Sequence, residues 1–234
     1  MLNKIDDILN ISNAKKKEHI LAFRSAYVDL ILEKNNIRKD CSHALVDSVE
    51  LKADFPPESV FFGMRSALEN LPYFRHPIFY ITLEHKGKIA IYKRLNTGGD
   101  NRLHDMHSIG FGGHVDLGDT IHDNSIVDAE QSIIDSSTRE LEEELFLPFD
   151  LKEAEIKTRG YIIDNRDEVG QVHLGVWQSL VIPDHVDISA IDISEDEKHK
   201  MEFLGFKDVD WFKSHMDAGE FQIEGWSEMI INSQ

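Results

Sequence analysis

The chain of 234 residues carries a formal charge of −18, from 25 Lys and Arg against 43 Asp and Glu. That balance excludes a broad nucleic-acid surface, whose affinity comes from cations that neutralise phosphates. The composition is 41% hydrophobic and 29% charged, as in an ordinary globular protein, and the single Cys41 excludes an intrachain disulfide framework.

A lone cysteine fits a reducing, cytoplasmic setting. No run approaches the ~18 apolar residues of a membrane span, and Lys4, Asp6 and Asp7 fit no secretory leader. Neither a membrane span nor a leader is expected. The 12 histidines are scattered without zinc-type spacing, so no zinc site is expected either.

From about Ala14 to Glu33, apolar residues recur at intervals of three and four, with Ile20, Phe23, Tyr27, Leu30 and Ile31 on one stripe. This predicts a helix that stops at Asn35-Asn36. A second helical piece is expected from about Ser42 to Leu51. A short third one is expected from Pro57 to Leu71, after the break at Phe55-Pro56-Pro57. Residues 1–56 therefore read as a helical N-terminal extension and 57–234 as the main domain. A stripe of this kind is costly to leave bare, which predicts packing on the domain or a homodimer contact.

From Ile78 the period shortens. Ile78 to Leu83 and Ile89 to Arg94 read as two strands of a hairpin with Gly87 at its turn. Beyond an acidic helix, strands are expected from Ile156 to Asp164, from Gln171 to Ile182 and from Phe203 to Val209. Helices follow from Trp211 to Ala218 and from about Trp226. Strands interleaved with helices make an α/β domain with a mixed sheet covered by helices.

The acidic helix contains Arg139-Glu140-Leu141-Glu142-Glu143-Glu144-Leu145. At about 100° per residue, Glu140, Glu143 and Glu144 share one arc. An apolar or small row at Ile134, Thr138, Leu141 and Leu145 marks the expected buried face. Like charges at this spacing repel, and a divalent cation offsets that cost, since Mg²⁺ prefers carboxylate oxygens. Arg139 stands four residues before Glu143 and can hold it. Upstream lies the glycine-rich run Ser108-Ile109-Gly110-Phe111-Gly112-Gly113-His114-Val115-Asp116-Leu117-Gly118-Asp119, whose glycines permit positive φ and close approach to a ligand.

Glycine loop and acidic helix together resemble the Nudix box, which reads Gly, five residues, Glu, seven residues, then Arg-Glu-aliphatic-x-Glu-Glu-x-Gly-aliphatic. Gly113 matches its first Gly, and Asp119 stands in for its first Glu. Arg139, Glu140, Leu141, Glu143, Glu144 and Leu147 match the second half. Roughly a dozen residues are inserted after Asp119, at about 120–131, and Phe146 replaces the last Gly, with Pro148 as the expected helix stop. With Gly99-Asp100-Asn101-Arg102-Leu103-His104, the segment is similar to a Nudix subgroup of predicted phosphoesterases. The resemblance covers roughly Phe61 to the C-terminus.

The resemblance implies a Nudix α/β/α sandwich and a Mg²⁺ or Mn²⁺ site formed by Glu140, Glu143, Glu144 and the Gly112 carbonyl. Glu143 would take a proton from water and Arg139 would orient it. Arg94, Arg102 and His114 are candidates for substrate phosphate. Asp119, Glu168 and Glu195 (or its neighbours Asp196 and Glu197) are candidate helper acids. The implied reaction is hydrolysis of a phosphoanhydride in a nucleoside diphosphate linked to another group. Two alternatives stand beside it: a nucleotide-binding regulatory module of Nudix descent, and an isopentenyl diphosphate isomerase-like enzyme. The isomerase needs a cysteine on a domain strand, and Cys41 lies outside the expected domain.

Overall fold

The computed structural model describes residues 18–47, 49–97, 101–119, 122–123 and 126–234. Its frame is a ten-stranded mixed sheet. The strands are β1 (His19–Arg24), β2 (His43–Val46), β3 (Val60–Met64), β4 (Phe74–His85), β5 (Lys88–Arg94), β6 (His107–Ser108), β7 (Gly110–His114), β8 (Glu155–Asp164), β9 (His173–Val181) and β10 (Met201–Asp208). The helices are α1 (Ser25–Lys34), α2 (Leu51–Asp54), α3 (Arg65–Leu68), α4 (Ala129–Glu144), α5 (Val209–Asp217) and α6 (Gly225–Asn232).

Strand β4 organises the rest. One of its edges carries β9 in parallel register, and the other is shared along its length by β1, β7 and β5, all antiparallel. Its side chains alternate between the faces. Phe79, Ile81 and Leu83 join clusters with Ile133 and Leu141 of α4, while Tyr80 joins Phe212 of α5 and Ile230 of α6. The sheet is thus sandwiched between α4 on one face and α5 with α6 on the other. The β4–β5 hairpin expected from the sequence is present. Lys86 and Gly87 at its tip both have positive φ, 49° and 78°, which matches the right-handed twist of the flanking strands.

Residues 18–56 depart from the expected helical extension. Where a helix was expected from Ala14 to Glu33, the described part is strand β1 followed by α1. Ile20, Leu21, Ala22 and Phe23 are consecutive and all wholly buried. A short continuous apolar run fits a buried strand as well as a helix, and here both backbone edges of β1 are claimed. β3 pairs along one edge, and the Leu21 amide donates to the Val115 carbonyl at 2.8 Å on the other. The expected Ser42–Leu51 helix is strand β2, hydrogen-bonded to β8. The expected Pro57–Leu71 helix is a turn, strand β3 and the single turn α3. This segment therefore belongs to the same sheet as the rest. The protein's own core takes up Ile20, Phe23 and Ile31, leaving Leu30 bare at 56% exposure, so the stripe no longer calls for a second copy.

The later strands and helices fall within a few residues of their expected places. No helix among the described residues is long and apolar enough to cross a membrane.

Candidate active site

Two elements build the site, strand β7 and helix α4. Gly110, Gly112 and Gly113 do not use positive φ; they serve close packing instead. A Cβ on Gly112 would lie 2.2 Å from the Phe79 carbonyl oxygen, and one on Gly113 would sit 3.8 Å from Glu140 Oε1. Bare backbone therefore faces the Glu140 carboxylate, and Gly112 is exposed beside it. Asp128 caps α4 by accepting from the Gln131 amide at 3.1 Å. Of the inserted segment, His122-Asp123 and Ile126-Val127 pair as a small hairpin. The side chain of Asp119, the expected first acid of the box, also lies outside the description.

The buried side of α4 is turned from the expected row. Ile133, Ser136, Ser137 and Leu141 are buried, whereas Ile134 and Thr138 are only half-buried. The arc faces the sheet about 60° away from Leu141, and Glu140 and Glu144 fall inside it. The three-acid arc is therefore split. Glu140 is 24% exposed, while Glu143 is 59% exposed and stands to the side. Arg139 joins the two: its Nη1 lies 3.0 Å from Glu140 Oε1 and 2.9 Å from Glu143 Oε2.

Burial pushes the Glu144 carboxyl up to about 8, and the Glu140 charge adds to the shift, with Glu197 contributing in the same sense; Arg94 and Lys200 oppose it. Burial also raises Glu140, against Arg139, with Glu143 and Asp116 adding to the rise. Five acids thus raise one another's cost of ionisation around Glu140 and Glu144, and every donor atom is a hard oxygen. That set fits Mg²⁺ or Mn²⁺. Asp116 went unnoticed in the sequence. It lies three residues after Gly113, and only its bridge to Ile20 of β1 places it beside the helix.

The helix exit explains Glu197. Leu145 is extended and pairs, with Phe146, against Asp192-Ile193. The left-handed glycine of the box is thus not needed, and the helix stops before Pro148. The Ser194 amide and hydroxyl donate to the Glu144 and Glu143 carbonyls at 2.8 and 2.7 Å. They satisfy carbonyls that a helix end leaves without partners. This clasp brings Glu197 to Glu144, with Lys200 2.7 Å from Glu197. Glu195 turns outward at 88% exposure and pairs with Lys198, so of the three neighbouring acids it is Glu197 that acts on Glu144.

Arg94 reaches the site from β5. It lies 5.4 Å from the Tyr92 ring centroid, and its Nε is 3.5 Å from Glu224 Oε2. Glu224 is 5% exposed and accepts from Tyr80, from Ser108 at 2.5 Å and from Ser227 at 3.2 Å. Glu224→Ala is expected to cost about 3 kcal/mol, because it leaves a half-buried guanidinium without its counter-ion and three buried hydroxyls without their shared acceptor. Chemical denaturation of variant and parent measures that difference, and a loss below about 1 kcal/mol would show the network to be dispensable.

The other expected residues lie elsewhere. Arg102 pairs with Asp167 at 2.6 Å and acts on the ring of His173. Glu168 belongs to the same 165–170 loop. His114 is paired across β4 with Ile78, two residues from Gly112 and alternating with Gly113, so its ring is on the face away from Glu140. It meets His173 and His76 there. A cleft of 790 Å³ along α4, lined by Ile134, Thr138, Phe146 and Leu151, takes in Glu142 but neither Glu140 nor Glu144. It is not the carboxylate site.

No protein-family model matches the chain. Protein YmaB of Bacillus subtilis (strain 168) is 31% identical over 174 residues, which span 72% of this chain and 75% of that protein. The crystal structure of Tm1382, described as a candidate Nudix hydrolase, matches with a TM-score of 0.66 at 21% identity, over 92% of this chain and 97% of that one. At that identity the match speaks for the fold. A crystal structure of DR0079 from Deinococcus radiodurans matches more loosely, with a TM-score of 0.44 at 16% identity over 81% of this chain and 98% of that one. By its identity and coverage the chain belongs to the family of protein YmaB, and its α/β/α sandwich is the Nudix fold.

Proposed function

We propose that this protein is a divalent-metal-dependent hydrolase that cleaves a phosphoanhydride in a nucleoside diphosphate linked to another group. The observation that carries this reading is the pair of half-buried carboxylates, Glu140 and Glu144, with Glu140 set against the bare backbone of Gly113. Burying two acids side by side is unfavourable unless a cation compensates. Bound there, Mg²⁺ or Mn²⁺ supplies charge neutralisation at phosphoryl oxygens and lowers the pKa of water.

The chain's own residues do the rest. Arg139 fixes the Glu140 carboxylate and holds Glu143 at the solvent edge, where it can accept a proton from an attacking water. Arg94 and Lys200 bring positive charge to Glu144. Glu197, one of the helper acids expected from the sequence, and Asp116 complete the acidic wall. We assign substrate phosphate to Arg94 ahead of Arg102 and His114. Positioning and charge neutralisation are most of what phosphoryl transfer requires. A cytoplasmic setting agrees with this substrate class and with the lone, half-buried Cys41, whose thiol burial raises away from a nucleophile's range.

The test is a hydrolysis screen with Mg²⁺ and Mn²⁺ against nucleotide sugars, dinucleoside polyphosphates, dinucleotides and nucleoside triphosphates. Metal-dependent release of a nucleoside monophosphate is expected from at least one diphosphate-linked class. No turnover across the panel, together with saturable nucleotide binding, would make the protein a binding module instead.

A further inference from the structure

We propose that His76, His114 and His173 form a transition-metal site of the zinc class, on the opposite face of the sheet from the acidic helix. The three come from β4, β7 and β9. His173 is paired with His76 in the parallel register, and His114 is paired with Ile78, two residues further along β4. Residues in those positions share one face, and one ring nitrogen from each lies within 4.8 Å of the others.

Two details point to a ligand rather than to a chance meeting of rings. The first concerns His173. Its Nδ1 lies 2.6 Å from the Val169 carbonyl, which only accepts, so Nδ1 carries the proton and Nε2 of the neutral ring carries a lone pair. That Nε2 faces His114 Nε2 at 3.3 Å. Two nitrogens held by one tetrahedral zinc at about 2.0–2.1 Å stand about 3.3–3.4 Å apart. A backbone carbonyl on the far nitrogen is also the usual orienting partner of a metal-bound histidine. Arg75 reinforces the placement by donating to the His173 and Gly170 carbonyls at 3.0 and 2.9 Å.

The second concerns His76. It is wholly buried, and neither ring nitrogen has a hydrogen-bond partner within 3.5 Å, although the Leu68 backbone acts on the ring from further off. Buried polar atoms without partners are rare, and each asks for an explanation. A plain hydrogen bond between His173 and His114 leaves His76 unexplained, whereas a metal among the three accounts for all of them. Three imidazoles suit zinc, and also cobalt, nickel and copper, far better than magnesium. His114 and His173 are only half-buried, so a fourth position remains open to water or an anion, as in three-ligand zinc sites. Since His114 directly follows Gly113, an ion here ties strand β7 to β4 and β9 behind the glycine that faces Glu140.

The experiment uses the untagged full chain, freed of metal and held in excess Mg²⁺ so that carboxylates are occupied. Co²⁺ is titrated in, followed by Zn²⁺ in competition. One equivalent of Co²⁺ is expected to bind with a dissociation constant below about 1 µM and a visible band of low-coordinate nitrogen ligation, displaced by Zn²⁺. His114→Gln and His173→Gln should each weaken binding by about 100-fold or more, while Glu144→Gln should leave the band intact. Absence of such binding in the parent protein overturns the proposal. So does a Co²⁺ band that survives both histidine substitutions, or one that Glu144→Gln removes.

Discussion

Glu144→Gln is expected to lower turnover by about 10²-fold or more, about 3 kcal/mol of transition-state stabilisation, while the protein stays folded. The substitution keeps nearly the same volume and removes one charge from a half-buried pair. In the absence of a divalent ion the variant should gain stability, because burial and the Glu140 charge both work against ionised Glu144. Leu141→Gln should behave in the opposite way. Leu141 is wholly buried, and an amide in its place costs about 3 kcal/mol in lost packing and desolvation without removing a metal ligand. Mg²⁺ affinity, turnover and denaturation midpoint, measured side by side, separate the two effects. Should Glu144→Gln bind Mg²⁺ and turn over like its parent, the acidic pair has no catalytic part.

Divalent cation should also change how stability depends on pH, and the sign follows from the direction of the shifts. Glu144 is raised from 4.5 to about 8 in the folded protein. The folded state therefore holds a proton that the unfolded chain has lost. The associated stability is fully present below the unfolded pKa and is lost as pH rises through 8. His76 is lowered from 6.5 to about 3, by burial first and then by His173. Its contribution is present above pH 6.5 and lost as pH falls. The two trends oppose each other in mildly acidic solution, so the informative window is pH 6.5 to 8.5. There the histidine trend, which His114 and His173 share with His76, levels off as pH rises above 7, and Glu144 still titrates.

In chelator, the stability of the parent should fall by about 1 kcal/mol across that window, after allowance for solvent around a half-buried group. Saturating Mg²⁺ should abolish the decline, since a nearby divalent charge favours the ionised carboxylate. Glu144→Gln should show neither the decline nor its rescue. Thermal melts of both proteins, with and without Mg²⁺, decide the matter; identical pH profiles for parent and variant would mean that Glu144 does not titrate in this range.

Local pattern determined a good deal of this molecule. The β4–β5 hairpin was legible because a two-residue period and a Lys-Gly turn are properties of neighbouring residues. The same holds for β8, β9, β10 and the last two helices. Arg139 and the box glutamates were legible as a chemical constellation, for their spacing on one helix fixes which of them can meet a common partner.

Tertiary structure decided the rest. The run Ile20 to Phe23 is a strand because β3 and the chain at Val115 take hydrogen bonds from both its edges, and no local period encodes those partners. Which acids of α4 are buried depended on how the helix is rotated against β4 and β7. That rotation is set by Ile133, Ser137 and Leu141 packing on the sheet, so Glu140 and Glu144 turn inward while Glu143 stays at the edge. Glu197 reaches Glu144 only through the Ser194 clasp at the helix exit. His76, His114 and His173 are separated by about 40 and 60 residues of chain and carry no spacing that the sequence could announce. They meet because strand register, which depends on partners far apart in the chain, sets them on one face of the same sheet.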